Sequence, residues 1–192
     1  MRKLMFCVPM MILLLSACAG GSGQEEQLSL AVRGSYLEMT ACSAAVTLTA
    51  DYGQRVYRYE LELIQEGEST TLTLTAPDIV AGITARLEGE EDLLEYDGLS
   101  VETGPLDEDG LTPVSAIPAL LETARSGYIT ACALEEEGAL LRLDCGDPDG
   151  MPGEGLETTL WFDTQTHALV RGEIRTDGFR AILCEFTNFT MG

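Results

Sequence analysis

Residues 55–63 read RVYRYELEL. Tyr57, Tyr59, Leu61 and Leu63 share one side of a two-residue period, and Arg58, Glu60 and Glu62 share the other. A helix would scatter these side chains around its axis, whereas a strand sorts them into an apolar face and a wet one. Residues 70–76, TTLTLTA, repeat the sorting, with Leu72 and Leu74 against threonines whose β-branching suits a pleated backbone. Outward from this pair, further strands are expected near 42–50, 80–88, 92–97, 99–103, 128–134, 139–145, 157–163, 168–176 and 178–188. Their connections are short and built from turn residues: Glu90-Glu91-Asp92, Asp97-Gly98, Glu135-Glu136-Glu137-Gly138 and Thr176-Asp177-Gly178. Such spacing leaves no room for crossover helices, so the strands form a sequential antiparallel meander.

One segment breaks the alternation. In TPVSAIPALLETARSG, residues 112–127, Ile117, Leu120, Leu121 and Ala124 fall at i, i+3, i+4 and i+7, a single apolar stripe. Ser115 is placed to cap its start, Pro118 lies in the first turn, and Gly127 ends it. A shorter helix is expected over 28–39, LSLAVRGSYLEM, weakened by Gly34. The fold class is therefore mainly β (α+β): a curved antiparallel sheet or incomplete barrel covered by one or two helices. The concave face is expected to be apolar and partly covered by the 115–126 helix.

The N-terminus begins MRK, followed by an uncharged apolar run from Leu4 to Ala17. That run is too short for a bilayer span, which takes about 20 residues, and it ends in small residues as an export signal does. The tetrad Leu15-Ser16-Ala17-Cys18 resembles a bacterial lipobox. That resemblance implies cleavage before Cys18, a diacylglyceryl group on its sulfur, and acylation of the new amino terminus by a palmitate-type chain. Two or three chains on one cysteine hold durably where a single chain does not. Three parts follow: a signal peptide at 1–17, a lipidated cysteine and flexible tether at 18–27, and a folded domain at 28–192. The expected location is a cell membrane's extracytoplasmic face, or the outer membrane in a Gram-negative cell.

Residues 18–192 carry nine arginines, no lysine and 32 acids, a net charge of −23. Such a body repels phosphate backbones, which argues against a nucleic-acid partner. Cys42, Cys132, Cys145 and Cys184 remain for the domain, and none has the CxxC spacing of a zinc or redox site. An exported chain permits disulfides, yet each cysteine lies in or beside an apolar stretch, where a buried thiol is equally at home. The only histidine, His167, sits in the expected turn 164–167, a position for an exposed side chain rather than for a catalytic pair with an orienting acid. Residues 146–155, GDPDGMPGEG, look like a calcium loop, but an EF-hand alignment puts Cys145 and Leu156 where acids are required. They read as a surface loop. Trp161 alternates with Leu160 and Phe162, so it either meets a partner or fills a second core face, and the core is the expectation. No residue set points to catalysis, to a metal or to a cofactor.

The element order resembles the LolA/LolB-like lipoprotein-localisation superfamily. The resemblance is carried by residues 156–189, LETTLWFDTQTHALVRGEIRTDGFRAILCEFTNF, and by residues 75–101, TAPDIVAGITARLEGEEDLLEYDGLSV. It implies a half-barrel around an apolar cavity closed by helices. The carrier's proline-glycine-aromatic signature and buried arginine are missing, so no functional residue is transferred. A permanently anchored chain is more similar to the receptor LolB, or to anchored Gram-positive and clostridial relatives that bind protein partners in germination, than to the soluble carrier.

With that resemblance, the expected function is non-enzymatic binding of an apolar ligand, an acyl chain or a lipoprotein's lipid moiety. The alternative is an envelope protein-protein interaction using the same fold. Candidate lining residues are Tyr57, Tyr59, Leu61, Leu63, Leu72, Leu74, Leu94 and Tyr96 from the strands, with Ile117, Leu120 and Leu121 from the helix. Periodicity gives the same signal for an open cavity and for a packed core.

Overall fold

The computed structural model describes residues 22–88, 91–102 and 109–192. Residues 1–21, including the expected signal and Cys18, lie outside the described residues, as does Glu90 of the expected 90–92 turn. Among the described residues, no helix is long and apolar enough to cross a membrane.

Among the described residues, eleven strands and two α-helices make the fold. Helix α1 (Ser22–Glu38) leads into β1 (Ala41–Asp51), β2 (Val56–Glu66), β3 (Ser69–Ala76), β4 (Thr84–Glu88), β5 (Glu91–Tyr96) and β6 (Leu99–Glu102). After α2 (Ala116–Ser126) come β7 (Ile129–Glu135), β8 (Leu140–Cys145), β9 (Leu156–Asp163), β10 (Leu169–Thr176) and β11 (Phe179–Met191). All strands join one antiparallel sheet in the order β6-β5-β4-β3-β2-β1-β11-β10-β9-β8-β7. The sheet is thus two meanders, β1–β6 and β7–β11, sewn together where β1 pairs with β11 from Cys42↔Met191 to Ala50↔Ile182.

Alternation sorts the faces as the sequence predicts. On β1, Cys42, Ala44, Val46, Leu48 and Ala50 are buried and the residues between them are not. Their register partners Leu61, Leu63, Ile182, Cys184 and Phe186 point the same way and join one continuous core. The Asp97-Gly98 and Asp177-Gly178 turns have positive φ at both residues, the left-handed pair that matches the strands' twist in a two-residue hairpin.

The helices come closest to the β7–β10 half of the sheet. Helix α2 packs against α1, β9 and β10, and α1 also against β7 and β8. A Cβ at Gly172 of β10 would lie 2.6 Å from Leu120 Cδ1, so the missing side chain is what lets α2 seat its leucine on the sheet. Leu28, Val32 and Tyr36 form the narrow inner stripe of α1, where Tyr36 meets Phe162 edge to face at 5.3 Å between ring centroids.

Three expectations need correction. Helix α1 begins at Ser22, so residues 22–27 of the expected tether are helical; Gln24, Glu25, Glu26 and Gln27 are good helix formers, and Ser29 bonds back to the Glu26 carbonyl at 2.8 Å. Ser115 does not cap α2: its backbone is already helical and its hydroxyl meets that of Thr112 at 2.7 Å. Gly127 ends α2 as expected, with an extended backbone (φ −56°, ψ 141°) and its N–H on the Thr123 carbonyl; a Cβ there would strike Thr123. Trp161 is not in a core, because the outer face of β9 has no layer packed over it apart from neighbouring polar side chains. The four described cysteines are free thiols.

Candidate functional site

The concave face of β2–β6 continues the apolar surface away from β7–β10, the strands that α1 and α2 approach most closely. Leu61 pairs with Leu74, Leu63 with Leu72, Leu72 with Ala85, Ala85 with Leu94, Leu94 with Val101 and Tyr96 with Leu99, a continuous apolar surface across five strands. Its floor is closed: Leu61, Leu63, Leu72 and Leu74 are buried. Tyr59 and Leu94 are partly buried against the core. Its margin is open: Tyr57 is 38% exposed, Tyr96 52%, Leu99 72% and Val101 61%.

Three tyrosines continue that margin. The rings of Tyr52 and Tyr57 are 6.1 Å apart, and those of Tyr57 and Tyr59 stack at 6.4 Å with 18° between planes. The Tyr52 hydroxyl donates to the Leu111 carbonyl at 3.2 Å, which ties the ladder to the segment entering α2. Burial, with the neighbouring phenols of Tyr59 and Tyr57, raises the Tyr52 pKa and keeps it a donor. The arrangement offers ring faces and aliphatic side chains with few fixed polar groups, a surface that takes apolar matter rather than a charged substrate.

Of the expected lining set, the strand residues Tyr57, Tyr59, Leu61, Leu63, Leu72, Leu74, Leu94 and Tyr96 share one face. Ile117, Leu120 and Leu121 of α2 are buried in the same core cluster as Leu61, Leu63, Leu72 and Leu74, with Leu120 seated at Gly172 of β10. Leu99 and Val101, absent from the expected set, belong to the margin; their alternation was legible, but β6 is only four residues long.

The outer face of β7–β10 carries a polar cluster that sequence reasoning missed. Glu173, 1% exposed, accepts hydrogen bonds from Arg175 at 2.8 Å, from Arg180 at 3.0 Å and from Arg171. Burial alone would raise its pKa; the three guanidiniums outweigh that and hold it below the usual glutamate value. Arg171 lies over the Trp161 ring at 4.6 Å, and the indole N–H donates to Glu135 Oε2 at 2.9 Å. Arg142 reaches Glu135 at 2.6 Å and Asp144 at 3.3 Å. Beside them runs a groove of about 560 Å³, bounded by Thr130, Arg142, Trp161, Arg175 and the 146–155 loop.

His167 has a positive φ and is half-buried, with Nδ1 2.7 Å from the Ser35 hydroxyl of α1. The neighbouring Asp163 accepts the Thr166 N–H and hydroxyl and the Gln165 N–H, bonds that hold its pKa below the usual carboxylate range. Both groups fasten the turn. Among the described residues, no group of three histidine, cysteine or acidic side chains is placed to hold a metal ion.

No family model and no curated protein matches the sequence. Solved structures do. An uncharacterized conserved protein from Thermus thermophilus superposes with a TM-score of 0.53 at 11% identity, covering 88% of this chain and 88% of that one. A LolA superfamily protein from Nitrosomonas europaea gives 0.46 at 9% identity over 88% and 93% of the two chains. The complex of the CwlD amidase with the GerS lipoprotein from Clostridioides difficile gives 0.49 at 14% identity over 86% and 94%. Likeness at these identities concerns the fold alone, and the two scores below 0.5 add nothing to it.

Proposed function

We propose that the chain is a lipid-anchored extracytoplasmic lipoprotein whose half-barrel binds an apolar ligand, an acyl chain or a lipoprotein's lipid moiety, on the concave face of β2–β6. The observation that carries this reading is the open apolar margin: Tyr57, Tyr96, Leu99 and Val101 stay exposed on the concave side of β2–β6, beside the buried floor of Leu61, Leu63, Leu72 and Leu74. A core residue left exposed costs the fold burial energy, and four together on one face form a patch of the kind that marks binding. The lipobox-like Leu15-Ser16-Ala17-Cys18 supplies the anchor, which ties the protein beside the bilayer from which such a ligand would come. The test is native mass spectrometry of residues 19–192 after incubation with lipid vesicles. Bound lipid is expected, and Tyr96→Asp with Leu99→Asp should lower its occupancy about tenfold. A protein that never retains lipid, with the double variant behaving identically, sinks the reading.

A second reading, an envelope protein partner, is favoured by the outer face of β7–β10. Trp161 with Arg142, Arg171, Arg175 and Arg180 collects the residue types that dominate interface energetics. Photo-crosslinking from position 161 in cells tests it, and absence of any specific adduct removes it.

A further inference from the structure

The antiparallel topology gives the sheet two ends. One end, here the upper, carries the β1–β2, β3–β4, β5–β6, β8–β9 and β10–β11 connections and the entry to β7; the lower carries β2–β3, β4–β5, β7–β8 and β9–β10. Large exposed apolar residues are divided unevenly between them. Tyr52 in β1–β2, Ile79 in β3–β4, Tyr128 before β7, Met151 in β8–β9 and Phe179 at the start of β11 all project from the upper end, with Ile79 86% exposed. The described lower turns, residues 67–68, 136–139 and 164–168, have none, and Leu37 in the last turn of α1 is the large exposed apolar residue nearest that end.

We propose that this upper end rests on a lipid bilayer, with those five tips entering the interfacial region. Each tip lies in or directly beside a different connection, as in Pro77-Asp78-Ile79, Gly150-Met151-Pro152 and Gly178-Phe179, where a polar residue would serve the turn as well. Single apolar side chains spaced around a rim do not build the compact centre of a protein interface. They do suit a deformable sheet of lipid, and tyrosine and phenylalanine are residues that favour the membrane–water boundary. Helix α1 ends beside His167 of the β9–β10 turn, Arg33 reaches the Gly127 carbonyl, and Glu25 and Glu26 lie near Cys132 of β7, so the helix crosses β8 and β7. Four residue steps separate Cys18 from Ser22, a reach of at most about 14 Å, so a lipid on Cys18 holds the start of α1 close to the bilayer. Asp51, Asp78, Asp97, Asp147, Asp149, Glu154 and Asp177 lie in the same connections and oppose anionic headgroups. The site therefore takes a zwitterionic surface. Docked so, the open concave margin, including Tyr57, Tyr96 and Leu99, faces the lipid.

The anchor in this argument rests on the proposed function; the rim does not, and the test separates them. All described structure lies within residues 22–192, so residues 19–192 contain the whole core. An environment-sensitive fluorophore is placed through Ile79→Cys, Met151→Cys or, at the lower end, Glu68→Cys, each in a Cys132→Ala background. Lipid-bearing full-length protein in phosphatidylcholine nanodiscs should show emission at 79 and 151 raised about twofold and shielded from aqueous iodide, with position 68 unchanged. Without the lipid, residues 19–192 should show the same contrast on phosphatidylcholine vesicles, weakened when phosphatidylglycerol is added. Equal iodide quenching at all three positions overturns the proposal, as does shielding of 79 and 151 by self-association without lipid. Absence of an acyl mass on Cys18 refutes the anchor, and the vesicle result then decides for the rim alone.

Discussion

Glu173 is the side chain on which the outer face of the C-terminal meander depends. Its carboxylate is nearly inaccessible while Arg171, Arg175 and Arg180 remain two-fifths or more exposed, so the acid is the fixed point and the cations are held to it. Replacing it by glutamine leaves three guanidiniums crowded with no counter-charge. Because those partners are partly solvated, the expected loss for Glu173→Gln is about 2 kcal/mol rather than the larger cost of breaking a fully buried pair, read from urea unfolding. The pH dependence has a definite sign. A carboxylate whose folded pKa is depressed contributes stability that is complete above its unfolded value, about 4.3, and is lost as pH falls through the folded value. The gap between wild type and Glu173→Gln should therefore narrow on going from pH 7 to pH 3; a constant gap would show that the carboxylate's charge is irrelevant. Thiols give a second residue-scale prediction. Burial pushes Cys42 and Cys145 up to about 11 and Cys184 higher still, while Cys132 is only half-buried. Maleimide at neutral pH should label Cys132 first in residues 19–192, and all four thiols only after denaturation, as counted by intact mass. Trp161 shows why single residues were the hardest to read. Alternation says that it opposes Leu160 and Phe162 but not what covers its face, and here the cover is one arginine's guanidinium, which no periodicity announces.

Elements were far more legible. Each of the eleven described strands was expected; β1, β2, β3, β8 and β9 write their burial into every second residue, while β6 and β7 do not alternate and were legible from their spacing between turns. Helix α2 was legible for the same reason at a different period, and its Ile117, Leu120, Leu121 and Ala124 stripe is buried. Its placement was not. Sequence reasoning lays it on the concave face without choosing strands, whereas the structure docks it closest to β9 and β10. The signal that sends it there is Gly172, a lone glycine inside the strand LVRGEIRT, which opens a site for Leu120. Gly172→Ala should cost about 1–3 kcal/mol by overpacking, and Leu120→Ala about 2–5 kcal/mol by leaving a void. If the two atoms compete for one space, the double variant loses clearly less than the sum; additivity in a thermal or urea series would refute the seating. Helix α1 starts earlier than the sequence suggests because a glutamate- and glutamine-rich run after glycines reads equally as tether or helix. Its N-terminal turns have few apolar residues to decide the matter.

The whole molecule is two meanders held by one seam, and the seam divides its stability. β1 and β11 are 11 and 13 residues long and bury Val46, Leu48, Ile182 and Cys184 between neighbours on both sides. At the free edge, β4, β5 and β6 have five, six and four residues, and β6 is exposed along its length. Backbone amides open in proportion to how little packing holds them, so the sheet should loosen from β6 inward. This is also the half that carries the proposed ligand surface, whose margin at Tyr96, Leu99 and Val101 lies on the shortest strands. A binding face made of weakly held strands can spread around a ligand of variable shape without disturbing the seam. Hydrogen exchange followed by mass spectrometry tests this: peptides covering 91–102 should exchange fastest among strand peptides, and those covering 44–50 and 181–187 slowest. Vesicle-derived lipid, if it seats on the margin, should slow exchange in 91–102 while leaving the seam unchanged. Uniform protection across the eleven strands would mean that the β4–β6 edge is as firmly held as the seam, and the margin would then be a rigid surface rather than an adaptable one.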